Sequence, residues 1–246
     1  MRKRFYTLIV LLFLTITSYG QNWGGGVDDE NVHFGFNFSY VGAEYKIFKK
    51  ASWREPFYDP ETSALVRDSL YSISSSVNPG FGLGFVANLR LGNNADFRIT
   101  PSLIFTDRLL KYAYADNNPD TEIEKKVQST MVDLPLGFKL KSDRRGNFRA
   151  YLLGGAKYSI DIISKKKTDD SQLVLAEKLV KNKRGFLSYE AGIGLDLYFE
   201  FFKLSPEIKL SNSIGNVLDR GKEAHPYSAP VDKLFLRNLQ FSLYFE

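Results

Sequence analysis

The stretch Val32-His33-Phe34-Gly35-Phe36-Asn37-Phe38-Ser39-Tyr40-Val41 decides the fold. Phe34, Phe36, Phe38 and Tyr40 occupy every second position, with Gly35, Asn37 and Ser39 between them. Successive strand residues point to opposite faces, so one face here is wholly aromatic and the other small or polar. The alternation then returns along the chain. Phe81 to Leu91 alternate with Gly82, Gly84, Val86, Asn88 and Arg90, and Phe97 to Phe105 with Arg98, Thr100, Ser102 and Ile104. Segments 132–140, 148–162, 187–199, 204–211 and 235–245 repeat it, the last with Arg237 breaking its apolar row.

The links between these eight segments alternate in length. Residues 45–78, 111–126, 164–185 and 215–233 are long, whereas 92–96, 142–147 and 200–203 are short, and the first two short links carry Asn, Asp and Gly. Those are turn residues. An even strand count, period-two alternation and long/short links predict an all-β fold: an eight-stranded antiparallel transmembrane β-barrel with long extracellular loops and short periplasmic turns. A water-soluble lipocalin-like barrel would turn its apolar face inward. The polar face here carries Gly35, Gly82, Gly84, Gly137, Gly155, Gly192 and Gly194, which suits a narrow interior better than a solvated surface. The interior would then hold Arg90, Arg98, Lys139, Arg149, Lys157 and Lys209 against Asp133, Asp161, Glu190, Asp196 and Glu207. A charge left unpaired in a confined site is expensive, so this near-balance predicts a polar network that fills the lumen, and no diffusion channel.

Residues 1–20 read as a secretory signal peptide, leaving 21–246 as the barrel domain. Arg2, Lys3 and Arg4 precede the apolar stretch from Phe5 to Ile16, and Ser18 and Gly20 put small side chains before Gln21. The apolar stretch is too short for a helical membrane anchor. The leader takes three basic and no acidic residues with it, so the net charge falls from +5 to +2, which gives no support for nucleic-acid binding. The chain has no cysteine, which excludes disulfides, cysteine-ligated metals and thiol nucleophiles.

No catalytic constellation stands out. His33 opens the first strand at the periplasmic end and His225 lies in the last extracellular loop, so the two cannot share a site. His225 with Glu223, Ser228 or Asp232 has the composition of a triad, but a loop histidine beside Pro226 and Pro230 is the simpler reading. Asp133 and Glu190 have the makings of an acid/base pair, and lumen salt bridges explain them more simply. Metal-ligand spacing is lacking, and Gly24-Gly25-Gly26 has no strand before it, so no metal, cofactor or small-molecule substrate is expected. Lys165-Lys166-Lys167 with Asp169-Asp170 reads as a solvated loop, or less simply as a contact for anionic lipopolysaccharide or an acidic partner. Trp53, Phe57 and Tyr58 in the first long loop and Leu173, Leu175 and Leu179 in the third are apolar for loop positions, and with His225 they are candidate partner contacts. Phe241, Leu243 and Phe245 resemble the C-terminal strand signal read by the outer-membrane insertion machinery.

The chain also resembles the PorT-like outer-membrane β-barrels of Bacteroidetes, specifically the PorT component of the type IX secretion system. The likeness is carried by His33-Phe34-Gly35-Phe36, Asn78-Pro79-Gly80-Phe81-x-Leu83-Gly84, Leu89-Arg90-Leu91 and Thr100-Pro101-Ser102-Leu103. Asp133-Leu134-Pro135-Leu136, Gly154-Gly155, Tyr189-Glu190-x-Gly192-x-Gly194-x-Asp196, His225-Pro226-Tyr227, Asp232-Lys233-Leu234 and the segment from Phe241 to Glu246 extend it. The resemblance implies a non-enzymatic accessory of protein export in the outer membrane, linked to cargo secretion and maturation and, in gliding relatives, to motility. Its implied partners are membrane lipid and other secretion-system proteins. A general structural or adhesion barrel, and a lipid- or peptide-modifying outer-membrane enzyme, are the competing readings.

Overall fold

The computed structural model describes residues 31–115, 122–162, 170, 173–221 and 224–246. The leader 1–20, Gly24 to Gly26, the Lys165 to Lys167 run and Glu223 lie outside them. Among the described residues the regular elements are all strands. They are β1 (Val32–Lys49), β2 (Phe57–Tyr58), β3 (Leu65–Arg67), β4 (Leu70–Ser76), β5 (Asn78–Arg90), β6 (Ala95–Ile99) and β7 (Ser102–Tyr114). There follow β8 (Glu122–Lys141), β9 (Phe148–Asp161), β10 (Lys181–Asn182), β11 (Gly185–Tyr198), β12 (Lys203–Ser213), β13 (Leu218–Asp219) and β14 (Val231–Phe245).

All the pairings are antiparallel, and β1 pairs with both β14 and β5, which closes the sheet on itself. Two of the eight staves are each built from two strands. β6 and β7 share the same neighbours, β5 and β8, and are separated only at Thr100-Pro101. Proline cannot donate to a ladder. The Pro101 carbonyl still accepts from the Phe85 amide (3.0 Å), so the stave stays in place across the gap. β4 and β5, parted at Val77, form the other: both pair with β7, and β4 meets β1 where the Tyr45 amide donates to Ser75 Oγ (3.0 Å).

The outer wall carries the aromatic face predicted from residues 32–41. Phe34 and Phe85 are 74% and 73% exposed, and Phe36, Phe38, Tyr40, Phe81 and Leu83 also face outward. From Phe81 to Leu91 the outward apolar row spans about 25 Å at the rise and tilt usual for such strands. That matches the apolar band of an outer-membrane barrel.

Four staves run well beyond the segments expected from alternation. β1 continues to Lys49 rather than ending near Val41, the second stave begins at Leu70 rather than Phe81, β7 reaches Tyr114, and β8 starts at Glu122. The links expected at 45–78 and 111–126 are therefore strand at both ends, over 45–49 and 70–76 in the first and 111–114 and 122–126 in the second. Above the apolar band the pattern inverts. Outward positions become polar (Glu44, Lys46, Asp107, Lys111, Lys126, Arg237), while Tyr45, Leu110, Tyr112, Val127, Leu234 and Leu236 turn inward and are buried. A wall facing water outside and its own core inside needs the opposite phase to one facing lipid. Arg237 marks the level where the wall leaves the band.

Close strand approach depends on small inward residues. Gly155 stands opposite Gly137 across β8 and β9. A Cβ on Gly155 would lie 2.2 Å from the Leu136 carbonyl oxygen and 2.6 Å from the Gly137 Cα. Both are backbone atoms and cannot rotate away. Gly155→Ala is therefore expected to cost about 1–3 kcal/mol through forced strand separation, whereas Gly154→Ala, with open space around its Cβ, should be near neutral. Urea titration in detergent micelles, read by the gel mobility shift of folded against unfolded barrel, compares the two.

Candidate functional site

The lumen has two layers. The layer nearer the short turns is a network of buried charges built from inward positions of every second residue. Arg98 of β6 is its hub. Its Nη1 bonds Glu207 of β12 (3.1 Å), its Nη2 bonds Glu246 (3.1 Å), and its Nε donates to Asn88 Oδ1 (2.7 Å). The guanidinium also lies over the rings of Tyr244 (4.6 Å) and Tyr151 (5.4 Å). Both phenols donate to Glu207, at 3.1 and 3.0 Å. Around this hub Lys139 pairs with Asp196 (2.7 Å), which also accepts from Ser205 (2.6 Å), and Glu246 is shared with Lys203. Further along the strands Lys209 pairs with Glu190 (3.1 Å), and Lys157 with Asp133 (2.8 Å). Lys141 and Asp96 make another buried pair at 2.6 Å. Each of these charges has an oppositely charged partner, which offsets much of the cost of burying it, while Asp133 Oδ1, Glu190 Oε2 and Asp196 Oδ2 accept no hydrogen bond among the described residues.

The upper layer is apolar. Tyr45, Leu70, Ile73, Ile104, Leu110, Tyr112, Val127 and Met131 from the staves pack with Val180, Val217, Leu218 and Tyr227 from the extracellular segments. Arg108 enters this layer from β7. It is fully buried, its Nη2 lies 3.5 Å from Met131 Sδ, and its Nε and Nη1 meet no hydrogen-bond partner among the described residues.

Tyr227 locks the extracellular segments over this layer. Its hydroxyl donates to the Ala176 carbonyl (2.6 Å) and accepts from Arg67 Nη2 (3.3 Å), while its own carbonyl accepts from Tyr112 (2.8 Å). Lys125 Nζ sits 4.0 Å from the centre of its ring. A single buried residue thus joins elements from the first, third and fourth long segments to β7 and β8. Nearby, Tyr45 and Asn182 exchange hydrogen bonds at 3.0 and 2.7 Å, which ties β10 to β1.

His225 is part of this cap and not of the surface. It is 6% exposed, and its Nδ1 has no hydrogen-bond partner among the described residues. Burial holds its imidazole down at about 4; Asp170 pulls the other way, and Lys125, Lys178 and Lys181 reinforce the burial. Because the folded value lies below the ordinary 6.5, the unfolded segment takes up a proton first. The contribution of a neutral His225 is complete above pH 6.5 and is lost as pH falls toward 4. Hydrogen exchange of residues 216–231 is expected to quicken between pH 6.5 and 4.5 beyond the intrinsic change, and His225→Gln should remove the excess.

The other residues singled out in the sequence fall into distinct places. Arg98, Lys139, Lys157, Lys209, Asp133, Glu190, Asp196 and Glu207 meet in the lower lumen. Asp161 lies higher, partly exposed, and accepts from Ser129 (2.8 Å). Arg90 departs from the expectation: it is part-exposed at the short-turn rim and donates to Asn93 (2.9 Å). Arg149 is half-buried near the same rim. Of the loop residues, Tyr58 and Leu173 are exposed, at 55% and 37%. Phe57, Leu175 and Leu179 are half-buried, and so is Trp53, whose ring meets Lys49 Nζ at 4.0 Å and Arg54 at 4.9 Å. Phe241 is 45% exposed, and Leu243 and Phe245 lie on the same outer face. Sequence reading missed Lys203 and Glu246. Each lies on the inward parity of its strand (203 with 205 and 207, 246 with 244 and 242), so carrying the alternation to the next position would have found them.

His33 and His225 lie at opposite ends of the barrel, and among the described residues no group of three His, Cys, Asp or Glu side chains is placed to hold a metal. A closed ring of eight antiparallel staves with an apolar outer band and a polar lower lumen defines an outer-membrane barrel. The family model described as outer membrane protein beta-barrel domain matches residues 29–219. The chain belongs to that family, and its location is the outer membrane.

Three solved structures are similar to this chain at low identity. Neisserial surface protein A is 11% identical, with 87% of this chain and 98% of that one covered at a TM-score of 0.40. OprG from Pseudomonas aeruginosa is 10% identical, with 87% and 92% covered at 0.42. Ail, the attachment invasion locus protein of Yersinia pestis, solved with the heparin analogue sucrose octasulfate, is 10% identical, with 88% and 99% covered at 0.37. No curated protein matches the sequence.

Proposed function

We propose that this barrel is an accessory of protein export across the outer membrane, of the type IX class, and that it works through protein contacts and not as a conduit. The observation that carries the reading is the closed lumen. Buried ion pairs fill its lower half and a Tyr227-locked cap covers its upper half, which leaves the extracellular segments and rims to act. Those segments present Tyr58, Leu65, Leu173 and Val174 to solvent, and exposed apolar side chains favour a protein partner. The PorT-like sequence pieces supply the export class. In this reading residues 1–20 are a cleaved signal, 21–246 the working domain, and the protein has no catalytic residue, cofactor, nucleic acid or small-molecule substrate.

The test is deletion of the gene, with secreted cargo measured by amount and processing. Cargo that accumulates unprocessed in the deletion strain, and is restored by the wild-type gene, supports the proposal. Unchanged cargo overturns it; unchanged cargo with lost binding to an external surface leaves a structural or adhesion barrel, and an altered lipid profile leaves an enzyme. Cross-linking from the first and third long segments in intact cells, read by mass spectrometry, identifies the partner.

A further inference from the structure

Above the apolar band, β1 and β14 continue side by side, and their outward residues form a two-by-two checkerboard. Lys46 stands opposite Phe235, and Phe48 opposite Lys233. The two phenylalanine rings meet edge to face across the diagonal (5.4 Å, 69°), and Lys46 Nζ lies 5.2 Å from the Phe48 ring centre. Phe48 is 43% exposed, and both lysines are exposed. One row nearer the band, Arg237 is paired with Glu44 at 3.3 Å, but neither Lys46 nor Lys233 has a carboxylate partner among the described residues. Two free ammonium groups flanking an aromatic pair make a surface complementary to an anion that carries an apolar face.

Its height and direction select the ligand. The checkerboard points sideways, on the same wall as Tyr40 and Leu239 below it, so what it meets is the layer surrounding the barrel. Leu239 is the last apolar outward residue of β14 before Arg237. Four to six residues further, at the usual rise and tilt, Phe235 and Lys233 stand about 10–15 Å above it. A phospholipid interfacial region is only about 5–8 Å deep on each side. Phospholipid headgroups therefore fall short of this row, whereas the sugars of a glycolipid reach it.

We propose that Lys46, Phe48, Lys233 and Phe235 form a lateral binding site for the anionic saccharide of a membrane glycolipid, with phosphate or sugar carboxylate groups on the lysines and sugar C–H faces on the rings. This site is independent of any export role.

The full-length protein, refolded into phosphatidylethanolamine vesicles containing purified lipopolysaccharide with its full sugar core, is compared with Lys46→Gln/Lys233→Gln and with Phe48→Ser. Bound glycolipid is counted by native mass spectrometry after extraction. Each lysine near an anionic surface is worth roughly five-fold in binding, so the double variant should retain roughly one twenty-fifth of wild-type affinity at low salt. Phe48→Ser should weaken binding less, and 0.5 M salt should erase most of the difference. With lipid A that carries no core oligosaccharide, wild type and variants should bind alike. Full binding by the double variant overturns the proposal, as does an equal loss with lipid A that carries no core oligosaccharide. The substituted side chains lie outside the wall, and the gel mobility of the folded barrel checks that the variants fold.

Discussion

Arg98→Met is expected to destabilise the barrel by about 3–5 kcal/mol, the range found when one partner of a buried ion pair is removed. The loss comes less from the vanished attraction than from what stays behind. Glu207 and Glu246 would remain buried with their shared cation gone, and the rings of Tyr151 and Tyr244 would lose the plane that covers them. The change is best read in urea titrations of protein refolded into lipid vesicles, followed by the mobility of unheated samples on gels. Adding Glu207→Gln to Arg98→Met should recover part of the loss, because it removes a stranded charge. Equal stabilities for the single and double variants would sink this account. Arg98→Lys should fall between, since a point charge cannot satisfy Glu207, Glu246 and Asn88 together.

Tyr227→Ala is expected to have an effect of similar size, but confined to the extracellular end. Truncating a fully buried aromatic side chain costs about 3–5 kcal/mol, and here the lost hydroxyl also joins the first and third extracellular segments to the fourth. Hydrogen exchange and protease cleavage in 173–182 and 216–231 should rise by orders of magnitude while the lower staves stay protected. Tyr227→Phe keeps the ring and loses the bonds to Ala176 and Arg67, for about 1 kcal/mol. If the Ala variant loosened the whole barrel uniformly, the cap would not be a separable unit. Because the ion-pair layer lies beneath, opening the cap alone should not produce ion conduction across a planar bilayer.

The alternation of Phe34, Phe36, Phe38 and Tyr40 with small residues was enough to read the lipid-facing wall, the eight staves and the short turns. It failed where solvent replaced lipid. There Tyr45, Leu110, Tyr112 and Leu236 are the inward residues, so a search for outward apolar rows stops early and assigns strand to loop. The parity that places Arg98, Lys139, Asp196 and Glu207 inside was visible along each segment. Which charge meets which was not, because those partners come from staves distant in sequence and are set by how the ring closes. The cap was the least legible part. Tyr227 was visible only as part of the His225-Pro226-Tyr227 piece, and nothing local shows that its hydroxyl reaches Ala176 and that Arg67 reaches back. His225 looked like a loop residue because the elements that bury it lie in other segments.

The position of Glu246, just beyond β14, bears on how the ring assembles. Its carboxylate meets Arg98, Lys203 and Asn88, two of which lie on early staves. Until the first and last staves zip together, Arg98 lacks one of its two anions and the curl of the sheet is electrically incomplete. A seam slipped by one residue would turn Glu246 outward and forfeit its contacts with Arg98 and Asn88.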